Sequence, residues 1–81
     1  MFVYIIQSES SDRFYIGVAE DPTARLIEHN RGQTASTRNR GPWRLFWIEE
    51  HPDQISALSR EREIKSWKSH TRISDLAKST R

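Results

Sequence analysis

The sequence predicts a small α+β domain, a three-stranded antiparallel or mixed sheet flanked by helices. Three observations carry this. Two short β-rich runs, FVYIIQ and FYIGVA, lie near the start with a polar link between them. A third such run, WRLFWIEE, follows a long polar loop. Helix-start signals, Asp21-Pro22 and His51-Pro52-Asp53, stand before the two remaining long segments. At 81 residues the chain reads as one domain, residues 1–81. A domain of this size buries only about 60% of the surface its unfolded chain exposes, so any active site must lie close to solvent.

The first strand is Phe2 to Gln7 and the second Phe14 to Ala19, joined as a hairpin by Ser8 to Arg13. Symmetric closure of the link pairs Gln7 with Phe14, Ile6 with Tyr15 and Tyr4 with Gly17. Directly opposed residues share a face and faces alternate along a strand, so Tyr4 and Tyr15 fall on one face. Gly17, without a side chain, leaves room beside Tyr4. A slip of one residue would part the two phenols.

Asp21 is the expected N-cap of a helix with Pro22 in its first turn, running to about Asn30, with Gly32 just past its end. Thr23, Leu26 and Ile27 are expected on one side. Arg25 and His29, four residues apart, project from one flank. Residues Arg31 to Pro42 form a polar loop punctuated by Gly32, Gly41 and Pro42. Trp43 to Glu50 is the third strand, with Trp43, Leu45 and Trp47 expected on one face and Arg44, Phe46 and Ile48 on the other. Asp53 then caps a second helix from about Gln54 to Lys68. Ala57, Leu58, Glu61, Ile64, Lys65 and Lys68 fall on one broad face of it. Glu61 interrupts a partly apolar stripe, a position where a carboxylate needs a paired charge or a metal. Residues 69–81 read as a short closing helix over Ile73, Leu76 and Ala77, or as a frayed tail.

Composition excludes several classes of function. The chain has no cysteine, so disulfides, thiolate metal sites and cysteine nucleophiles are ruled out. Its three histidines lack zinc-site spacing, and His51 and His70 receive no role. No stretch could span a bilayer, and FVYIIQ lacks the basic start and long apolar core of a secretory signal, so the expected location is cytoplasmic. The net charge of +2 is modest, but Arg31, Arg38, Arg40 and Arg44 lie in a stretch to Ile48 that holds no acidic residue. Such a field suits a polyanion, although the same pattern also describes a solvated basic loop.

Taken together, Val3-Tyr4-Ile5, the intact Tyr15-Ile16-Gly17, Arg25 ten residues on within DPTARLIEHNRG, and Glu61 within ALSREREIKSW resemble the GIY-YIG nuclease superfamily. Each piece alone is weak, but the ordered set spans almost the whole chain. EHNRG and ALSREREIKSW are most similar to the small, stand-alone, single-domain bacterial members. Val3 replaces the leading glycine of the first half-motif. No asparagine follows Glu61, where many active members carry one about a helix-length later.

The resemblance implies a divalent-metal-dependent DNA endonuclease or nickase, selective for DNA structure in repair or recombination, with RNA left open as a substrate. It casts Glu61 as the ligand of a single Mg²⁺ or Mn²⁺ that neutralises phosphate charge. Arg25 would stabilise charge developing on the phosphoryl oxygens. Tyr4 would take a proton from the attacking water, with Tyr15 orienting water or phosphate. A free phenol, with a pKa of about 10, needs positive charge or a second base such as His29 for that task. Arg31, Thr34, Ser36, Thr37, Arg38 and Arg40 are candidate phosphate contacts, which add affinity but little sequence specificity.

Each assignment has a plainer counterpart. Glu61 could pair with Arg25 or Lys65, and Arg25 with Glu28 or Asp21. The tyrosines could simply pack. Trp43 could pack under the loop or stack on a base. Two functional alternatives follow: a nucleic-acid-binding module without turnover, and an accessory domain that docks on a repair protein through Trp43 or Trp67. Oligomeric state is left open.

Overall fold

The computed structural model describes residues 1–79, and the side chains of residues 1–77. The element order is β1 (Phe2–Ser8), β2 (Phe14–Ala19), α1 (Pro22–Asn30), β3 (Trp43–Glu50), α2 (Gln54–Trp67) and α3 (His70–Ser79). The sheet order is β2-β1-β3, with both pairings antiparallel. The closing helix forms as expected, and residues 80–81, the end of the anticipated tail, lie outside the described residues.

The hairpin register is the one symmetric closure requires, with Tyr4 opposite Gly17, Ile6 opposite Tyr15 and Gln7 opposite Phe14. Ser8 closes the hairpin by donating its N–H to the Arg13 carbonyl, 2.9 Å. It also steers a second loop, because its hydroxyl donates to the Arg40 carbonyl at 2.6 Å. The far end of that loop is held by Asn30. Its side-chain amide donates to the Trp43 carbonyl at 2.9 Å, and its side-chain oxygen accepts the Trp43 N–H at 2.7 Å. Asn30 thus imitates a strand neighbour, satisfying backbone groups at the start of β3 and tying α1 to the sheet.

The central strand β1 is buried on both sides, and two apolar clusters form. Val3, Ile5 and Ile16 pack with Ala57, Ile64, Ile73 and Leu76, which places α2 and α3 on one face. Tyr4, Ile6, Ala19 and Trp43 pack with Tyr15, Leu26 and Leu45 on the other face, beneath α1. Val3, the residue in place of the motif glycine, is fully buried in the first cluster, so its side chain is used for packing.

Two packing expectations are corrected. Trp47 was expected beside Trp43 and Leu45, but it packs on the opposite face, against the α2/α3 cluster. A register irregularity between Ile5 and Ile6 is the cause. Ile6 pairs with Leu45 and Ile5 with Trp47, so Phe46 is an extra residue and the alternation inverts after it. Phe46 and Trp47 then both serve the same core. The buried Trp47 indole N–H has no hydrogen-bond partner among the described residues, a cost of about 1–3 kcal/mol. On α1 the inward residues are Pro22, Leu26 and His29, whereas Thr23 and Ile27 are exposed. The helix therefore turns a histidine, rather than Ile27, toward the sheet.

Ile64 is the fully buried link between α2 and the sheet. Ile64→Ala is expected to lower stability by about 2–5 kcal/mol, read as a drop in the urea midpoint with an unchanged slope.

Candidate active site

Gly17 positions the first functional group. A Cβ at Gly17 would lie 2.5 Å from the Tyr4 hydroxyl and 2.6 Å from Cζ, so only glycine lets the ring lie across this strand. Since β2 is an edge strand, the phenol is carried toward the open side of the sheet. There Tyr15 stands with its ring centroid 6.4 Å from that of Tyr4, and His29 lies 5.9 Å from Tyr4 and 4.8 Å from Tyr15.

The Tyr4 hydroxyl hydrogen-bonds His29 Nε2 at 2.9 Å, with both residues about 1% exposed. On the other side of the imidazole, Nδ1 meets Thr37 Oγ1 at 2.8 Å. The Arg25 guanidinium also acts on the Tyr4 hydroxyl. Burial raises the Tyr4 pKa above its ordinary 10.0. The Arg25 guanidinium opposes this, and the charges of Tyr15 and Glu61 add to it. Tyr4 is therefore a neutral phenol at rest. His29 is pushed below 6.5, first by burial and then by the Arg25 guanidinium, with Glu28 acting against them. At neutral pH it is an uncharged imidazole able to accept a proton.

Glu61 belongs to a helix whose apolar residues pack on the face opposite Tyr4, yet its charge acts on Tyr4. The helix that carries it, α2, packs against β2, the edge strand that the phenol crosses at Gly17. Glu61 Oε2 is 3.4 Å from Lys65 Nζ, and its side chain is 18% exposed. Arg25 also pairs with Glu28. Thus an ion pair named from the sequence forms at each residue, Arg25 with Glu28 and Glu61 with Lys65, while the charge of Arg25 still acts on Tyr4. No group of three or more His, Cys, Asp or Glu side chains able to hold a metal occurs among the described residues. The Glu61 carboxylate has the hard oxygen donors that Mg²⁺ and Mn²⁺ take, so it fits as a lone protein ligand that leaves the other positions to water and substrate.

The loop residues separate into two sets. Arg31, Arg38 and Arg40 are exposed, as is Ser36, and Thr34 is half-buried. Arg31 and Asn39 line a cavity of about 460 Å³, and Asn39 continues into a second of about 340 Å³ with Arg13 and Arg40. Arg13 was not anticipated at this surface, because it sits in the hairpin link, and the two loops are brought together by hydrogen bonds from the Ser8 hydroxyl to the Arg40 carbonyl, from the Ser10 hydroxyl to the Gly41 carbonyl and from the Glu9 N–H to the Pro42 carbonyl. Thr37 corrects an expectation. It is 1% exposed and its hydroxyl faces His29, so it is an interior residue rather than a phosphate contact. Trp43 is likewise buried, donating its indole N–H to the Thr37 carbonyl at 3.1 Å, and is closed to base stacking. Trp67 is only partly buried but is flanked by the guanidiniums of Arg60 and Arg72, 5.6 and 4.5 Å from its ring. Trp43 is thus closed as a docking anchor, whereas Trp67 keeps part of its ring exposed between the two guanidiniums.

The sheet order, paired tyrosines and Arg25-bearing helix define an α+β domain of the GIY-YIG class. Residues 1–74 match the family described as GIY-YIG catalytic domain, and the chain belongs to that family. It is also similar to UPF0213 proteins of Staphylococcus aureus strains Mu3, Mu50 and N315. Each is 43% identical over 67 residues, which covers 82% of this chain and 80% of the relative. No solved structure matches the chain. Membership points to nuclease activity in general and to nucleic acid as the substrate class. No helix among the described residues is long and apolar enough to cross a membrane.

His29 generates a prediction. Its folded pKa lies below its unfolded value, so the unfolded chain binds more protons between the two. Its contribution is fully present above pH 6.5 and is lost as pH falls through the folded value. Urea midpoints should therefore begin to drop below pH 6.5, well before Asp53, whose pKa lies below 3.8 through its bonds to Ser56, begins to titrate. A midpoint constant between pH 7 and 5 would contradict the assignment of a neutral buried imidazole.

Proposed function

We propose that the protein is a divalent-metal-dependent DNA endonuclease or nickase that hydrolyses phosphodiester bonds with selectivity for DNA structure, in repair or recombination. The observation that carries the reading is the contact between the Tyr4 hydroxyl and His29 Nε2, bordered by Arg25. It supplies what the chemistry of a phenol base lacks, a second acceptor. As water attacks phosphorus, its proton passes to Tyr4 Oη while the Tyr4 proton passes to His29 Nε2. No free phenolate forms, which matters because burial disfavours one. The P–O bond to the leaving oxygen breaks, and that oxygen takes a proton from solvent.

The imidazolium formed on His29 is buried, and the extra negative charge on phosphorus oxygens in the transition state favours it, as does Glu28. Arg25 has the planar fork to stabilise those same oxygens. Tyr15, on the Tyr4 face, orients the water or phosphate. Glu61 would hold one Mg²⁺ or Mn²⁺, which supplies charge neutralisation and polarisation of the phosphate when bound. Arg31, Arg38 and Arg40 give the backbone affinity of a sequence-tolerant enzyme. Among the described residues these contacts are backbone-type and no groove-reading helix module stands beside them, which favours recognition of branched or flapped structure over base sequence.

A second reading, binding without turnover, is favoured by the ion pairs Arg25–Glu28 and Glu61–Lys65 and by the missing downstream asparagine. The two readings part on plasmid, single-stranded and flapped DNA incubated with Mg²⁺ or Mn²⁺. Wild type should cleave. Arg25→Ala should lose about 10²–10³-fold in rate, and Glu61→Gln should lose activity at every metal concentration. Binding without cleavage by wild type supports the second reading, and equal cleavage by all three proteins signals a contaminant.

Binding is read separately through salt. Arg31→Ala and Arg40→Ala should each weaken affinity alike for unrelated sequences and reduce the slope of log K against log salt by about one. An unchanged slope would remove these residues from the interface.

A further inference from the structure

Thr37 lies outside the reacting groups, yet the chain of polar contacts through the core ends on it. Its Oγ1 is 2.8 Å from His29 Nδ1 and 3.3 Å from the Thr34 carbonyl oxygen. A carbonyl oxygen only accepts, so the single hydroxyl proton of Thr37 is directed to it. The contact to His29 then requires that Nδ1 carry a proton and donate. That leaves Nε2 with a bare lone pair, and the Tyr4 hydroxyl donates to it at 2.9 Å.

The other end of the chain sets the same direction. The positive Arg25 guanidinium acts on Tyr4 and favours a phenol whose proton points away from it, toward the imidazole. If His29 Nε2 were protonated, the phenol proton would lose the imidazole as acceptor. The polarity therefore runs one way, from the Tyr4 hydroxyl through the imidazole and threonine hydroxyl to the Thr34 carbonyl.

We propose that Thr37 is a positioning residue whose hydroxyl holds His29 in the Nδ1–H tautomer, keeping Nε2 free to receive the Tyr4 proton. The tautomer of a histidine is set by the hydrogen bond its second nitrogen makes. The surrounding backbone is built to keep that hydroxyl in place. The Thr37 N–H donates to the Thr34 carbonyl at 3.2 Å, and its own carbonyl accepts the Arg40 N–H at 3.2 Å and the Trp43 indole N–H at 3.1 Å. Both ends of the loop are also clamped, by Asn30 on Trp43 and by Ser8 on Arg40. The groups that act on His29 or on the phenol it serves are Arg25 and Glu28 on α1, Tyr4 on β1, Tyr15 on β2 and, through Tyr4, Glu61 on α2. None of them bonds Nδ1, so Thr37 is the residue that holds the proton on that nitrogen while Tyr4 addresses the other.

The catalytic part of this proposal rests on the nuclease reading, but its structural part does not. Nitrogen-15 spectra of the imidazole at pH 7.5, in protein without DNA or metal, report which ring nitrogen is protonated. Wild type and Thr37→Ser, which keeps the hydroxyl, should show protonated Nδ1 and bare Nε2. Thr37→Val should show a mixture or the opposite tautomer. On flapped DNA with Mn²⁺, Thr37→Val should lower kcat on the order of 10- to 100-fold, the usual effect of removing a tautomer-fixing partner, with KM for DNA within about twofold. Thr37→Ser should restore most of kcat.

Protonated Nε2 in wild type would overturn the proposal with no variant needed, which covers the case of Thr37→Val failing to fold. An unchanged tautomer in Thr37→Val, or a changed tautomer with unchanged kcat, would also overturn it. If wild type does not cleave any DNA while the tautomer behaves as stated, the nuclease reading fails and the positioning of His29 by Thr37 stands.

Discussion

The arrangement depends on one close approach, the ring of Tyr4 lying over the bare backbone of Gly17. A side chain there would meet the phenol at 2.5 Å. Without that contact the ring could not extend toward the open edge of the sheet, where the charge of Glu61 acts on it, nor place its hydroxyl 2.9 Å from His29. The hairpin register makes the contact, because a shift of one residue would turn Tyr4 to the face occupied by Ile64 and Ile73. Register, packing and chemistry are therefore a single constraint.

Burial then decides what each group can be. Tyr4 and His29 are both shielded, and desolvation pushes both toward their neutral forms, raising one pKa and lowering the other. A neutral donor facing a neutral acceptor is a stable resting state, and a buried pair of opposite charges would not be. Proton transfer between them becomes favourable only when charge appears nearby. On the proposed reading a phosphate that gains negative charge during attack supplies it.

The sequence was most informative where structure is local and periodic. The hairpin register, the Asp21 and Asp53 caps and the ends of α1 follow from strand alternation and capping chemistry, and they place Tyr4, Tyr15, Arg25 and His29 on one side. Phe46 shows where such reading stops. An extra residue in β3 is set by pairing with β1, and strict alternation puts Trp47 on the wrong face. Ile27 shows a second limit, since its apolar character suggested burial but Pro22, Leu26 and His29 take the sheet-facing side of the helix. Thr37 was illegible for a different reason. It lies in a stretch with every mark of a surface loop, and its burial comes from Asn30, Ser8 and Trp43, which pull that loop inward by hydrogen bonds with no periodic signature.

On the proposed reading, the ion pairs of Arg25 with Glu28 and of Lys65 with Glu61 also separate resting and working states. They are partly solvated contacts between close neighbours on a helix, a class worth a few tenths of a kcal/mol up to about 1 kcal/mol. That is too little to hold a guanidinium against a phosphodiester gaining charge during attack, or a carboxylate against a divalent cation. They keep the functional groups oriented and solvated at small cost, and they give way readily. The buried contacts from Tyr4 through His29 to Thr37 are the opposite kind, because a donor or acceptor stranded there costs its full desolvation penalty. The site thus combines a rigid interior that fixes proton direction with loosely paired charges at its mouth, the division of labour that binding a flexible polyanion and cutting it would require.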